Sequence, residues 1–338
     1  MFVVKQNFKW LLLEMATTFL YWKCINKKEY KMNYFLNSKL RILNFTHIDL
    51  DGATSNIVIR NYFKDVITHQ ITYEHENEII PKMIKEKDKF DAVIFTDFCP
   101  VNLTQVQAFG RPVLVLDHHE SSLSFNDPSK NVYICTKFCG AKLTYEFFNH
   151  DDCLKHLDEL VNITNDFDLY KLKDQRSKPF NHLYWAMGFS WFVERFMTGD
   201  IELSKSEMKF LVRRQKDYNE FYANLPIQEL KNNGVVCVTE KYLSDVADSL
   251  RNDGYDWCIL YRNGNLSLRS SENSNINLVN VTKRLGKGGG HYHAVGVPQQ
   301  KENLADLIKR IETEVDNELK DVKMKEDQND FMKRLQDA

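Results

Sequence analysis

The segment RILNFTHIDLDG, residues 41–52, determines the fold of the first half of this chain. Its first five residues, Arg41–Phe45, are typical of a buried strand. Three polar side chains, His47, Asp49 and Asp51, follow directly, and alternate residues of an extended chain point the same way. Burying two carboxylates without a counter-ion is costly, so the pattern favours one or two divalent cations at the end of this strand. The alternative is a polar turn with a helix-capping aspartate.

Outward from that segment, short β-rich runs alternate with helical stretches, as in a parallel sheet covered by helices. The predicted strands are Arg41–Phe45, Val66–Tyr73, Ala92–Thr96, Val113–Leu116 and Asn131–Ile134. The predicted helices are Ala53–Phe63, Glu76–Lys87, Val101–Phe109, Ala141–Phe148, Cys153–Thr164 and His182–Met197. This order predicts a doubly wound α/β domain with a parallel sheet.

A smaller α/β unit is predicted after a polar helical stretch, Ser204–Lys231. Its predicted strands and helices are Val235–Thr239, Leu243–Arg251, Trp257–Arg262, Asn265–Ser270, Ile276–Leu285 and Ala294–Val297. Apolar residues then recur at helical spacing from Leu304 to Val322, which predicts a C-terminal helix that packs on the protein. A dimer interface is the alternative for that helix, so we expect a monomer or a homodimer.

Composition narrows the classes of function. The 338 residues suggest two domains with extensions, and the net charge of −2 requires any nucleic-acid contact to use a local basic patch. The seven cysteines lack a framework spacing, which favours reduced thiols in a cytoplasmic protein. The apolar segment 10–22 contains Glu14 and is too short to span a bilayer, so we expect no membrane association. Residues 1–31 are expected to form a helical extension or to reflect an upstream start.

Three further groups of polar side chains follow predicted elements. They are Asp97 after the third strand, Asp117, His118 and His119 after the fourth, and Asp166 with Asp168 after a helix. Asp97 alone fits a helix N-cap equally well. However, the carboxyl ends of parallel strands meet at one edge of the sheet, where ligands bind. The candidate metal ligands are His47, Asp49, Asp51, Asp97, His118 and Asp166, with Asp168 as the alternative to Asp166. Carboxylates and imidazoles without thiolates favour Mn²⁺ or Mg²⁺ over zinc or iron.

The second unit contains a glycine-rich segment, GGGHYHAVG at residues 288–296, preceded by Arg269 in LSLRSS. Successive glycines expose backbone N–H groups that can hold an anion, and a guanidinium group offers a fork for a phosphate. From Arg262 to His291, five basic residues stand against one acidic residue. The candidate substrate-binding residues are Arg269, Ser270, Gly288, Gly289, Gly290 and His291. A flexible loop, or a metal site at His291 and His293, is the alternative.

Together these motifs resemble the signature segments of the DHH-family phosphoesterases that carry a DHH-associated C-terminal domain. The matching segments are HIDLDG, Asp97, the DHH at 117–119 and GGGHYHAVG, and the resemblance covers about residues 40–297. It implies that His47, Asp49 and Asp97 hold one Mn²⁺. It further implies that Asp51, Asp97, His118 and an aspartate of the fourth motif hold a second Mn²⁺, with Asp97 bridging the two.

The resemblance also implies roles for the remaining candidates. His119 would contact the scissile phosphate, Asp117 would orient the imidazoles, and Arg269 with the glycine loop and His291 would hold the other end of the substrate. In the fourth motif we prefer Asp166, because the family pattern places an aromatic or apolar residue four positions later, here Tyr170. The expected domains are a catalytic DHH domain at 39–200, a helical linker at 201–232 and a substrate-binding domain at 233–300. Extensions at 1–38 and 301–338 flank them.

The activity expected from the resemblance is a 3′ or 5′ exonuclease that acts on short single-stranded oligonucleotides and releases mononucleotides. Two alternatives are a RecJ-type exonuclease of single-stranded DNA and a phosphoesterase of cyclic dinucleotides or 3′-phosphoadenosine phosphate. The non-enzymatic alternative is an inactive DHH subunit that binds nucleic acid. We favour short substrates because the chain offers no residues for the OB-type domain that grips long strands, and none for membrane or sensory segments.

Overall fold

The structure, a computed structural model, describes residues 34–336, except for the side chains of Gln105 and of residues 331–336. The chain divides into two compact units, Met1–Ser204 (unit 1) and Lys205–Ala338 (unit 2). The helices that we assigned to the linker and the C-terminal extension both fall within unit 2. The predicted extension at residues 1–31 lies outside the described residues.

Unit 1 contains a five-stranded parallel sheet with the strand order β2-β1-β3-β4-β5. The strands are β1 Arg41–Thr46, β2 Asp65–Gln70, β3 Ala92–Thr96, β4 Val113–Asp117 and β5 Val132–Ile134. The helices are α1 Leu50–Tyr62, α2 Glu76–Ile84, α3 Leu103–Gln107, α4 Gly140–Phe148, α5 Asp158–Asp168, α6 Ser177–Met187 and α7 Phe189–Phe196. This architecture confirms the predicted doubly wound α/β fold.

Helices cover both faces of this sheet because alternate strand residues point to opposite faces. Ile42 and Ile94 pack in a core with α1 and α4 to α7. Leu43 and Phe95 pack in a second core with α2 and α3. All five residues of β3 are buried, as expected for a central strand of a parallel sheet. The carboxyl ends of the strands therefore form one fixed edge, to which the polar motifs are attached.

Unit 2 contains a six-stranded mixed sheet with the order β10-β11-β9-β8-β7-β6, in which only β7 and β8 are parallel neighbours. The strands are β6 Ile227–Leu230, β7 Gly234–Val238, β8 Trp257–Arg262, β9 Asn265–Ser270, β10 Gly289–His291 and β11 Ala294–Pro298. The helices are α8 Lys205–Ala223, α9 Leu243–Asn252, α10 Leu278–Leu285 and α11 Leu304–Gln336. Helices α10 and α11 pack on one face of the sheet, and α8 and α9 on the other.

Several predicted elements have different bounds in the structure, and three segments differ in kind. The helix expected over Ser204–Lys231 ends at Ala223, and a strand follows after Pro226, which has no N–H to continue a helix. The single helix expected over His182–Met197 is divided at Gly188, whose φ is +85°. The glycine-rich segment includes strand β10. Among the described residues, no helix combines the length and the apolar character needed to cross a membrane.

Candidate metal centre

The turn after β1 holds the first motif close to the sheet edge. Asp49 is the N-cap of α1, and its carboxylate accepts the N–H of Gly52 at 3.0 Å. The hydroxyl of Thr46 donates to the Gly52 carbonyl at 2.9 Å. A side chain at position 52 would not fit, because its Cβ would lie 2.1 Å from the carbonyl oxygen of His47. The glycine therefore permits the tight turn in which the motif lies.

Asp97 lies directly after β3, in a conformation that few residues adopt. Its φ is +54°, in the left-handed region that Asp and Asn enter more readily than most residues, and its N–H donates to the Leu116 carbonyl at 2.9 Å. The side chain is 1% exposed. Neither carboxylate oxygen receives a hydrogen bond from a described group. A buried carboxylate without such bonds is costly, which is the cost that a bound cation would remove.

His47 and Asp49 form one group of potential ligands with Asp97. Nδ1 of His47 lies 2.7 Å from Oδ2 of Asp49 and 4.0 Å from Oδ2 of Asp97. One donor atom from each of the three residues lies within 4.8 Å of the others. This is the set that the resemblance assigns to the first cation.

A second group surrounds His118, which is 2% exposed. Nε2 of His118 lies 3.1 Å from Oδ1 of Asp97, and it is 3.5 Å from a carboxylate oxygen of both Asp51 and Asp168. Donor atoms of Asp51, His118 and Asp168 lie within 4.8 Å of one another. Asp97 is thus adjacent to both groups, as expected for a bridging ligand.

The N-terminus of α4 fixes the position of Asp51. The N–H groups of Gly140 and Ala141 donate to the two oxygens of this carboxylate at 2.6 and 2.8 Å. The positive end of a helix stabilises a negative charge placed there. A Cβ at position 140 would lie 2.6 Å from Cβ of Asp97 and 3.0 Å from Oδ2 of Asp51. We did not identify Gly140 from the sequence; its only signal is the small-residue run Cys139–Ala141 before a helix.

Our preference for Asp166 as the fourth-motif ligand disagrees with the structure, which places Asp168 in the cluster instead. Both aspartates lie within α5, which extends four residues beyond its predicted end. Residues four apart share a helix face, and Asp168 shares the face of Thr164, whose hydroxyl lies 2.9 Å from that of Thr54 on α1. Asp166 is two residues from Asp168 and therefore projects from the opposite side of the helix.

Asp166 has a structural role in the following turn. Its carboxylate accepts the N–H groups of Lys173 and Asp174 at 3.1 and 3.0 Å and the hydroxyl of Ser177 at 2.6 Å. These three hydrogen bonds keep the Asp166 carboxylate away from the cluster and stabilise the turn that leads into α6. Tyr170, which supported our preference for Asp166, has a φ of +55° and belongs to the same turn.

The cluster brings several carboxylates close together without a matching number of positive charges. Burial, together with the charges of Asp51 and Asp49, raises the pKa of Asp97 and of Asp168 well above the ordinary value. Burial also acts on Asp49, but the charge and hydrogen bond of His47 outweigh it and lower the pKa of Asp49. Oxygen-rich carboxylates with two imidazoles and no thiolate ligand fit a hard divalent cation.

His119 and Asp117 form a pair beside this cluster. Nδ1 of His119 hydrogen-bonds with Oδ1 of Asp117 at 2.7 Å. Asp117 is fully buried, and the charge and hydrogen bond of His119 overcome the effect of burial and lower the pKa of Asp117 to about 2. The carboxylate thus stays ionised and fixes the orientation of the His119 ring, which is the orienting role expected for Asp117.

In unit 2 the candidate substrate-binding residues have different surroundings. Nη1 of Arg269 donates to the Leu268 carbonyl at 2.9 Å, and burial together with the charge of Arg251 lowers the pKa of Arg269. Ser270 is fully buried, and its hydroxyl contacts Nδ1 of His293 at 2.8 Å and the Ile276 carbonyl at 3.1 Å. Ser270 therefore has a structural role, contrary to our assignment of it to substrate binding.

The glycines of the same unit form a β-hairpin. Gly289, Gly290 and His291 constitute β10, which pairs with β11, and a Cβ at Gly288 or Gly290 would lie within 2.4 Å of a carbonyl oxygen of β11. Close backbone approach explains these two glycines, whose φ values are +87° and +142°. The segment is thus an ordered hairpin, whereas the loop alternative required a flexible chain.

Replacing Asp168 and Asp166 with asparagine, one at a time, gives a matched test of the assignment of Asp168 as the metal ligand. We expect Asp168→Asn to weaken Mn²⁺ binding by at least tenfold, since it removes a charged donor from the cluster. Asp166→Asn should leave Mn²⁺ affinity unchanged and lower the free energy of unfolding by about 1–3 kcal/mol, because three hydrogen bonds lose a charged acceptor. Calorimetric Mn²⁺ titration and urea unfolding of both variants measure these effects. The reverse pattern would restore Asp166 as the ligand.

Comparisons with known proteins agree with the fold and the motifs. Residues 41–167 match the model of the DHH family, N-terminal domain. A search of curated proteins finds no significant match. RecJ from Thermus thermophilus in complex with Mn²⁺ is similar, with a TM-score of 0.58 and 17% identity, over 85% of this chain and 53% of that one. The chain thus spans about half the length of that protein.

Two further solved structures are similar over most of their own length. An exonuclease RecJ bound to manganese gives a TM-score of 0.54 at 14% identity, over 84% of this chain and 92% of that chain. The pGpG-specific phosphodiesterase PggH from Vibrio cholerae gives 0.51 at 13% identity, over 82% and 99%. These similarities establish a shared fold. The match of residues 41–167 to the DHH-family model confirms, for that part of the chain, the resemblance seen in HIDLDG, Asp97 and the DHH at 117–119.

Proposed function

We propose that this protein is a phosphodiesterase that uses two divalent cations to hydrolyse short single-stranded oligonucleotides from one end, releasing mononucleotides. The observation that carries the proposal is the position of Asp97, a buried carboxylate adjacent to two groups of potential ligands at the carboxyl edge of the sheet. Similar proteins support the choice of cation, since RecJ structures with Mn²⁺ and with Mg²⁺ share the fold. Mn²⁺ is our preferred cation, with Mg²⁺ as the alternative.

Each candidate residue would have a distinct role. His47, Asp49 and Asp97 would hold one cation, and Asp51, Asp97, His118 and Asp168 would hold the other. A pair of bound cations supplies Lewis acidity and activates water near neutral pH. Because Asp117 holds Nδ1 of His119, the other ring nitrogen is the one that can contact a phosphoryl oxygen. This mechanism does not require a covalent nucleophile from the protein.

The main alternative is a phosphodiesterase restricted to dinucleotides. It is favoured by the similarity to PggH, which covers 99% of that chain. An inactive nucleic-acid-binding subunit is disfavoured, because a carboxylate or an imidazole occupies every ligand position of both groups. The single-stranded DNA exonuclease of RecJ type and the phosphoesterase of 3′-phosphoadenosine phosphate differ from our proposal in substrate, and one assay separates them.

In that assay, the protein and Mn²⁺ are incubated with end-labelled single-stranded DNA and RNA of roughly two to twenty nucleotides. Parallel reactions contain pGpG, a cyclic dinucleotide or 3′-phosphoadenosine phosphate. We expect stepwise release of mononucleotides, fastest from the shortest strands. Rapid cleavage of a circular single strand would contradict the proposal, because a circle has no end. Turnover confined to dinucleotides would favour the alternative.

We also propose that Arg269, the glycines of β10 and His291 bind the substrate and leave the cations unaffected. Arg269→Ala should lower kcat/KM by roughly ten- to a thousandfold, the range expected for the loss of a guanidinium–phosphate contact. Mn²⁺ affinity should not change. Steady-state kinetics and calorimetry measure the two effects. Arg213→Ala is the matched control, because Arg213 is an exposed arginine of α8. Loss of Mn²⁺ binding in Arg269→Ala, or wild-type kinetics, would refute the assignment.

A further inference from the structure

A column of aromatic rings in unit 1 leads from the core to the candidate metal centre. It consists of Phe45 on β1, Phe95 on β3, Phe98 after Asp97, and Tyr73 after β2. Successive ring centroids are 4.9, 6.4 and 4.5 Å apart, with interplanar angles of 13°, 27° and 30°. The three phenylalanines are fully buried, whereas Tyr73 is 38% exposed. The column therefore ends at the surface in one partly exposed ring.

The position of Tyr73 is fixed by its neighbours. Ile71 is buried, and its N–H extends the sheet by donating to the Thr46 carbonyl at 2.9 Å. The hydroxyl of Thr72 contacts Nδ1 of His75 at 2.8 Å and stabilises the turn that follows. The ring of Phe98 stacks against the ring of Tyr73. An aromatic ring held in this way loses little conformational entropy when a ligand binds to it.

Tyr73 also lies beside the residues that we assign to phosphate contact. Its ring is edge-on to His119, with centroids 6.3 Å apart. Its hydroxyl bonds with Ser122, and burial together with the charge of Asp117 raises the pKa of Tyr73 above its ordinary value. The hydroxyl is thus bonded to a buried serine and stays neutral, which favours the ring over the phenol oxygen as the group that a ligand contacts.

A lone exposed aromatic side chain is ordinary on a protein surface. Here the partly exposed ring continues a stack of buried phenylalanine rings and adjoins a histidine assigned to the phosphate. In a nucleotide a single sugar joins the base to its phosphate, so a phosphate at His119 places a base close to Tyr73. We infer that Tyr73 is a substrate-binding residue that stacks on the nucleobase next to the scissile phosphate. This inference rests on the proposed phosphodiesterase activity. It predicts recognition of any base by its ring face, since stacking tolerates every base.

The test compares three dinucleotide substrates under Mn²⁺: thymidylyl-thymidine and two analogues in which a tetrahydrofuran abasic residue replaces one or the other nucleoside. For the wild type we expect kcat/KM to fall by roughly ten- to a hundredfold on the analogue that lacks the stacked base. Tyr73→Leu, which keeps an apolar side chain over Phe98, should show a similar fall on thymidylyl-thymidine and no further fall on that analogue. Tyr73→Phe and Tyr73→Trp should retain wild-type selectivity, and Mn²⁺ affinity should be the same in all variants.

Two results would overturn the inference while the proposed function stands. The first is a wild type that hydrolyses all three substrates equally well, a measurement that does not depend on the folding of any variant. The second is a Tyr73→Leu variant that loses activity to the same extent on all three substrates, which would indicate a role in positioning His119 or Asp117. A wild type that hydrolyses none of the three, and none of the matching ribonucleotide set built on uridylyl-uridine, would instead refute the proposed function, and the inference with it.

Discussion

Asp97→Asn is expected to lower turnover by roughly a thousandfold or more and to weaken Mn²⁺ binding at both positions of the cluster. The reason is that Asp97 adjoins both groups of ligands, so one substitution removes a charged donor from each. Asn is a better choice than Ala, because Asn tolerates the φ of +54° and its side chain has nearly the same shape. Steady-state kinetics and calorimetric titration measure the two losses.

The same variant should have the opposite effect on stability when no cation is present. In the metal-free protein Asp97 is a buried carboxylate among other carboxylates, and Asn removes that repulsion. We therefore expect Asp97→Asn to raise the Tm of the metal-free protein by a few degrees. Added Mn²⁺ should raise the Tm of the wild type but not that of the variant, since only a bound cation stabilises the fold. Asp88→Asn, at an exposed position, is the control. A variant that keeps wild-type turnover with Mn²⁺ would refute the role of Asp97.

Gly140→Ala should have the second largest effect, although residue 140 donates no side-chain ligand. The added methyl group would lie 2.6 Å from Cβ of Asp97 and 2.8 Å from its Cα, so either α4 or the strand end must move. That movement also displaces the N–H groups that hold Asp51. We expect a loss of about 1–3 kcal/mol in the free energy of unfolding from overpacking, and a decrease of at least a hundredfold in turnover.

Gly296→Ala provides the matched control for Gly140→Ala. A Cβ at position 296 meets no atom within 4 Å, so the same chemical change there should leave stability and Mn²⁺ affinity unaltered. Urea unfolding and Mn²⁺ titration of both variants separate the steric effect at α4 from a general effect of replacing glycine. Equal behaviour of the two variants would show that the close approach of α4 to Asp97 is unimportant.

The sequence predicted the parts of the site that depend on strand geometry. His47, Asp49 and Asp51 follow one strand, and Asp97 and His118 follow two others, so the parallel arrangement brings them to one edge without further information. Their convergence in the structure agrees with that prediction. The five strands of unit 1 were also located, because each is a short apolar run between polar turns, although the second ends at Gln70 and not at the predicted Tyr73.

The remaining features depend on contacts that a sequence pattern does not encode. The choice between Asp166 and Asp168 required the true end of α5 and the helix face that meets Thr54. Gly140 is explained only by the distance between α4 and Asp97. Tyr73 lies in a loop without a recognisable motif, and its proximity to His119 is a contact between segments that follow β2 and β4, which are not neighbours in the sheet.

The central claim is that this cluster binds cations that make the protein a phosphodiesterase. The most direct measurement is the release of mononucleotides from a short single-stranded oligonucleotide while Mn²⁺ is titrated into the metal-free protein. We expect no product in excess chelator, and a rate that rises with Mn²⁺ and reaches its maximum only when two equivalents are bound per chain. Product formation at the full rate in excess chelator, or none at any Mn²⁺ concentration, would contradict the claim.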